Sequence, residues 1–318
     1  MATLTASLHS SPAQPMSQST AEITAILSGI PEMTLTEPVP GFPVIEIQTT
    51  TASAKVAIHG AQVLSWNPKD TEPVLYTSPK AIMEPGKPLR GGIPICWPWF
   101  GNETDVPNAP QHGFGRTRFW TLVNAKSGAA NARLEFLLPL DDEIRAAFPH
   151  ECEVRVIIAI GDKLSVALKT KNTGEELFKI GGALHTYLTV GDITRVQVEG
   201  IKECHYIDNV PDEPVSIFQD TPVKIDEETN RIYRSMASVL MRDLGQGRSV
   251  FVDKSGSRST VLWNPWIEGA KKIQDLPDRD YTEFVCIETA NAAKDHPTVR
   301  PNRVHTLEAT IGLRPLGN

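Results

Sequence analysis

From residue 44 onward the chain alternates between apolar and polar positions. VIEIQTTTASAKVAIHGAQVLSW, which begins at Val44, is alternating or β-branched over most of its length. That is the period of strands with one buried face. RLEFLLPL, CEVRVIIAI and KLSVALKTKNT repeat the pattern, and Gly161-Asp162 between the last two reads as a hairpin turn. FKIGGALHTYLTV, TRVQVEGI, RSVFVDK, STVLWNP, FVCIETA and HTLEATIGLRPL carry it to near the C-terminus. Turn residues at Asn172-Thr173-Gly174 and Ser255-Gly256-Ser257 fall between them.

Helical patterns are few. Ser19 or Thr20 can cap a short helix, AEITAILSG, that Gly29 ends. Residues 141–147 and 226–234 each predict about two turns. Pro31, Pro38, Pro40 and Pro43 predict a rigid extended connection. No βαβ repeat emerges. The predicted fold is all-β, a large antiparallel β-sandwich with few short helices. Residues 1–30 are expected to be an N-terminal extension, largely disordered, and 31–318 a single domain. The first 18 residues are rich in Ser, Thr, Ala and Pro.

Composition fits this picture. With 318 residues, 40% of them hydrophobic, one large core is feasible. The net charge of −7 argues against nucleic acid as a partner. A small anion remains possible if Arg, Lys or backbone N–H groups meet it locally. The four cysteines form no CxxC pair and read as reduced thiols in a cytoplasmic protein. No apolar run approaches the roughly 18 residues of a membrane span. The N-terminal stretch reads as neither a secretory nor a transit signal. No HxH or HExxH spacing suggests a metal.

Residues 90–120 lack periodicity and are rich in Pro, Gly and Trp, the mark of a structured functional loop. Within it, Arg90-Gly91-Gly92 precedes Trp97, Trp99 and Phe100. Aromatic faces suit the C–H patches of sugars, and an Arg fork suits phosphate. The same aromatics can equally plug a sandwich. Gln111-His112-Gly113-Phe114-Gly115-Arg116 gathers an amide, an imidazole and a second guanidinium. His112 reads as a binder, an acid or a structural histidine. His185, in an inferred long strand, shares a face with Tyr187 and is either a rigidly held acid or a structural histidine. Glu288 follows the apolar run FVCI where the strand is expected to give way to a turn. Burial there makes a better base, whereas an edge position makes it a surface residue. Asp208, in Tyr206-Ile207-Asp208-Asn209, reads as a hydroxyl acceptor or a turn aspartate. Trp263-Asn264-Pro265-Trp266 reads as a pocket wall or a turn.

The order of these segments resembles the hexose-6-phosphate mutarotases of the aldose 1-epimerase superfamily, over roughly residues 40–315. RGGIP-CWPWFG and HGFGR are the most specific parts. The resemblance implies a galactose-mutarotase-like supersandwich and exchange of the α and β anomers of a hexose 6-phosphate, glucose 6-phosphate foremost. It implies His185 as general acid and Glu288 as general base. It implies Arg90, Gln111, Arg116 and Asp208 as substrate-binding residues, and we count His112 among the candidates beside them. It calls for no metal or organic cofactor, and we expect a monomer. Gly115 departs from the common HGFAR form, and the N-terminal extension has no counterpart. The alternatives are a mutarotase for free aldoses and a non-catalytic carbohydrate-binding protein.

Overall fold

A computed structural model describes residues 18–316. Among them it forms three short α-helices, Thr20–Leu27, Asp142–Ala147 and Trp266–Lys271, and is otherwise built of antiparallel strands. An eight-stranded sheet runs from an edge at Val215–Gln219 through Cys204–Asp208, Thr229–Arg234, Ser259–Asn264, Phe284–Asn291 and Gly182–Leu184 to Ile95–Cys96. Tyr187–Thr189 also pairs with Phe284–Asn291. A nine-stranded sheet has Val304–Pro315, Leu164–Asn172 and Cys152–Ile160 near its middle. A four-stranded meander covers residues 33–68.

The alternation of the sequence is the alternation of the sheets. Val154, Val156, Ile158 and Ile160 turn into the main apolar core with Leu164, Val166 and Leu168. In the eight-stranded sheet Leu184, Leu188, Leu262, Val285 and Ile287 enter the same core. The alternate set, Tyr187, Trp263, Cys286 and Glu288, faces away from it. The buried indoles find acceptors: Trp66 Nε1 donates to Gly161 O at 3.1 Å and Trp97 Nε1 to Thr170 Oγ1 at 3.1 Å.

Several expectations change. Residues 226–234 do not form a helix. Thr229–Arg234 is a strand, paired on both sides by Cys204–Asp208 and Ser259–Asn264. Tertiary pairing overrides the weak local preference of a short charged segment. The proline-rich connection is extended, but as a hairpin of Met33–Val39 with Phe42–Gln48. The helix Trp266–Lys271 was not expected. The predicted disorder of residues 1–17 lies outside the described residues.

Residues 18–30 are part of the folded body. Ser19 and Glu22 form a capping box, with Glu22 N donating to Ser19 Oγ at 3.3 Å and Ser19 N to Glu22 Oε2 at 2.7 Å. Ile23 and Leu27 enter the main core. The Gln18 amide bonds the backbone of Leu122 in both directions, at 3.0 and 2.9 Å. Ser19→Ala should therefore cost about 1 kcal/mol, seen as a fall in Tm of about 2 °C or less. An unchanged Tm would show that the cap does not hold this helix in place.

Candidate functional site

Two glycine turns bring the loop of residues 90–120 onto the sheet. Gly92 has φ +62°, and a Cβ there would lie 2.0 Å from Val63 O. Gly113 has φ +69°, and a Cβ there would lie 2.1 Å from Trp97 O. Only glycine permits both the left-handed backbone and the close approach. These turns place Arg90, His112 and Arg116 beside the open face of the eight-stranded sheet.

His185 and Glu288 meet there. The ladder pairs Leu184 with Thr289 on one side and Tyr187 with Cys286 on the other, which sets His185 opposite Glu288. Directly opposed residues share a face and are cross-strand neighbours. His185 Nε2 lies 3.5 Å from Glu288 Oε1. His185 is not in the middle of a long strand. The strand breaks at His185 and Thr186, where Thr186 N donates to Leu184 O and His185 N to Pro94 O. Glu288 is not at a strand end either. It is central in Phe284–Asn291 and 1% exposed.

Burial sets the protonation of the pair. It pushes the Glu288 carboxyl well above the usual range, against the pull of Arg116. It holds His185 well below its usual value, aided by His112, Arg116 and Arg90. Both directions favour the uncharged forms, a carboxylic acid on Glu288 and a neutral imidazole on His185, which together hold as many protons as a carboxylate beside an imidazolium. His112 is held down to about 3 by burial and then by Arg116 and Arg90. Its Nδ1 accepts from Gly101 N at 3.2 Å, so its hydrogen is on Nε2. The His112 and His185 rings stand 5.7 Å apart, edge to face.

The two arginines differ. Arg90 is paired with Asp275, whose Oδ1 accepts from Nε at 3.1 Å and lies 3.1 Å from Nη2. Its Nη1 donates to the Tyr187 hydroxyl at 3.2 Å. Arg116 Nη2 donates to Gln111 O at 2.9 Å, and no carboxylate pairs with Arg116 among the described residues. Arg116 Nε, His185 Nδ1 and Glu288 Oε2 are all buried without a partner. Buried polar atoms left so are the mark of a site that a ligand or water completes. The half-buried Trp263 turns its ring edge-to-face to His185 at 6.0 Å, as one wall.

Arg90, His112, Arg116, His185 and Glu288 are thus brought together. The Gln111 residue is exposed, and its backbone rather than its side chain is used. Asp208 is not brought to the pair. It lies three strands away in a row with Arg231, Leu262 and Ile287, one row off that of Glu288. Its carboxylate faces Arg231 at 3.8 Å and accepts from Val210 N at 3.1 Å. The sequence reading missed Asp275 and made nothing of Tyr187. Tyr187 had a signal, its two-residue spacing from His185. Asp275 had none, being 185 positions from Arg90.

A cleft of about 1150 Å³ lined by Ile207, Arg234, Met236, Arg258 and Lys294, among others, holds none of the residues of this site. No orphaned buried polar atom lines it. No group of three or more His, Cys, Asp or Glu side chains placed to hold a metal occurs among the described residues.

Fold and site together define a sandwich that presents a buried carboxyl–imidazole pair and paired guanidinium groups to a small ligand. Residues 43–312 match the aldose 1-epimerase family model, and the chain belongs to that family. A protein of Cenchrus ciliaris provisionally named glucose-6-phosphate 1-epimerase is 34% identical over 251 residues, 76% of this chain and 75% of that protein. An Escherichia coli K12 protein with the same provisional name is 32% identical, covering 80% of this chain and 85% of its own. A crystal structure of a provisionally assigned mutarotase from Salmonella typhimurium superposes with a TM-score of 0.82 at 29% identity, over 90% of this chain and 94% of that one. The galactose 1-epimerase of Lactobacillus acidophilus, at 12% identity and a TM-score of 0.68 over 89% and 98% of the two chains, shares the fold.

The raised carboxyl of Glu288 has a consequence for stability. In the unfolded chain it loses its proton near pH 4.3, while the folded protein keeps it to higher pH. Between the two values the unfolded state binds fewer protons, so this residue's contribution to stability falls as pH rises. Glu288→Gln removes that dependence. Its Tm relative to wild type should rise from pH 5 to pH 8. A difference constant with pH would mean that the carboxyl is ionised in the folded protein.

Proposed function

We propose that this enzyme interconverts the α and β anomers of a hexose 6-phosphate, most specifically glucose 6-phosphate. The observation that carries the reading is Arg116, a half-buried guanidinium whose buried Nε has no partner and which pairs with no carboxylate among the described residues, beside the His185–Glu288 pair. A buried cation without a counter-ion is costly. A phosphate dianion supplies the counter-ion, and Arg binds it bidentately. The provisional names of the relatives from Cenchrus ciliaris and Escherichia coli support the same substrate.

Anomer exchange needs a proton taken from the C1 hydroxyl and one given to the ring oxygen, then the reverse after rotation about C1. A pair that shares one proton serves both steps. Arg90 and Arg116 both hold His185 down, whereas Arg116 alone acts on Glu288. A dianion on the two arginines cancels these fields and favours transfer of the proton from Glu288 to His185. Glu288 is then the base toward the C1 hydroxyl and His185 the acid toward the ring oxygen. Each positioned transfer contributes on the order of 10²–10⁴-fold. Trp263 offers a flat face to the sugar, and His112 Nε2–H offers a donor. Gln111 extends the binding surface at the exposed rim. Four free cysteines support a reducing, cytoplasmic setting, and we place the enzyme there as a monomer.

Polarimetry with glucose 6-phosphate and free glucose tests this. His185→Ala should lower kcat about 10²–10⁴-fold. Arg116→Ala should lower kcat/KM for glucose 6-phosphate about 10²-fold and for free glucose far less. Equal turnover of both sugars, indifferent to Arg116, would point instead to a free-aldose enzyme.

A further inference from the structure

A catalytic imidazole is ordinarily oriented by a hydrogen bond on the nitrogen that does not react. His185 has none, since its Nδ1 is buried without a partner. Its ring is set by packing instead. The phenol ring of Tyr187 lies parallel to it, with centroids 4.9 Å apart and planes 9° apart. Trp263 closes the edge of both rings, at 6.0 Å from His185 and 6.1 Å from Tyr187. Tyr187 is itself rigid, being 2% exposed and in the ladder opposite Cys286.

The other end of the same side chain meets the anion-binding residues. The Tyr187 hydroxyl accepts from Arg90 Nη1 at 3.2 Å. Asp275 holds the remaining edge of that guanidinium. The Asp275 loop is anchored in turn, with Ser78 Oγ donating to Asp275 O at 2.6 Å and the Tyr76 hydroxyl to Asp280 Oδ2 at 2.6 Å.

We propose that Tyr187 is a positioning residue with two separable parts: its ring face orients the imidazole of His185, and its hydroxyl aims Arg90 at the anionic end of the substrate. The inference rests on the hexose-phosphate reading of the site and extends it to a residue that touches neither reacting atom. Anion recognition and acid placement then run through one side chain. The two parts come apart by substitution. Tyr187→Phe keeps the face and removes the acceptor, whereas Tyr187→Leu removes both.

Steady-state polarimetry on the full-length enzyme, with glucose 6-phosphate and with free glucose, separates them. For Tyr187→Phe we expect KM for glucose 6-phosphate to rise about tenfold, the low end of the worth of one hydrogen bond to a charged donor. Its kcat should fall far less, and the ratio of KM values for the phosphorylated and free sugars should rise with KM. For Tyr187→Leu we expect kcat to fall about 10²-fold on both sugars, the cost of a misplaced acid. Asp275→Asn, which loosens Arg90 from the other side, should follow the phenylalanine pattern. An unchanged KM in Tyr187→Phe overturns the proposal, as does a loss of kcat equal to that of Tyr187→Leu. If the leucine variant does not fold, the phenylalanine variant alone decides by the same criteria. Absence of glucose 6-phosphate turnover by the wild-type enzyme sinks the reading of the site and the proposal with it. Normal wild-type turnover with the wrong variant pattern sinks the proposal alone.

Discussion

The contact between His185 Nε2 and Glu288 Oε1, 3.5 Å across two neighbouring strands, is the constraint that the rest of the site accommodates. An ionised carboxylate alone at 1% exposure would be prohibitively costly. Burial pushes Glu288 toward the carboxylic acid and His185 toward the neutral imidazole, and a pair in those forms carries no net charge. Register makes this possible. A slip of one residue in Phe284–Asn291 would exchange Ile287 and Glu288 between the core and the open face. The apolar residues that flank Glu288 on the core side therefore fix the position of the carboxyl as firmly as any bond to the carboxyl itself.

Around this neutral pair the protein distributes positive charge unevenly. Arg90 has its own carboxylate, Asp275. Arg116 has a carbonyl, that of Gln111, and no carboxylate partner among the described residues. In a chain of net charge −7 this local excess is not the overflow of a basic surface. It is held by two glycine turns that admit no side chain, at Gly92 and Gly113. The guanidinium groups and the buried carboxyl–imidazole pair are thereby placed within one set of contacts.

Much of this was legible in the sequence, and the failures have physical reasons. Strands such as Cys152–Ile160 and Leu164–Asn172 were readable because one face is buried and the other is not. His185, Glu288, Arg90 and Arg116 stood out by residue type within glycine- or apolar-flanked runs. Their meeting was not readable, because it follows from an antiparallel register between segments about a hundred positions apart. Thr229–Arg234 was misread as helix because its local propensities are weak and its strand character comes from two neighbours. Asp208 was open to either reading in the sequence, a hydroxyl acceptor or a turn aspartate, and the pairing row sets it beside Arg231. Asp275 lies in a loop whose only link to the site is tertiary.

Size alone would have pointed elsewhere. The cleft of about 1150 Å³ beside Arg234, Arg258 and Lys294 is open, and those three cations are exposed. Its buried polar groups are satisfied internally: Ser257 and Ser259 both donate to Ala290 O, and His305 bonds Asn291. Water can solvate exposed cations cheaply, so they create no demand for a ligand. An orphaned Nε on Arg116, an orphaned Oε2 on Glu288 and an orphaned Nδ1 on His185 do create one, because each is an unmet cost in the folded state. A ligand that meets such costs gains affinity that an exposed patch of the same charge cannot supply. The buried pair and its arginines, rather than the open cleft, are for that reason where unmet polar groups gather.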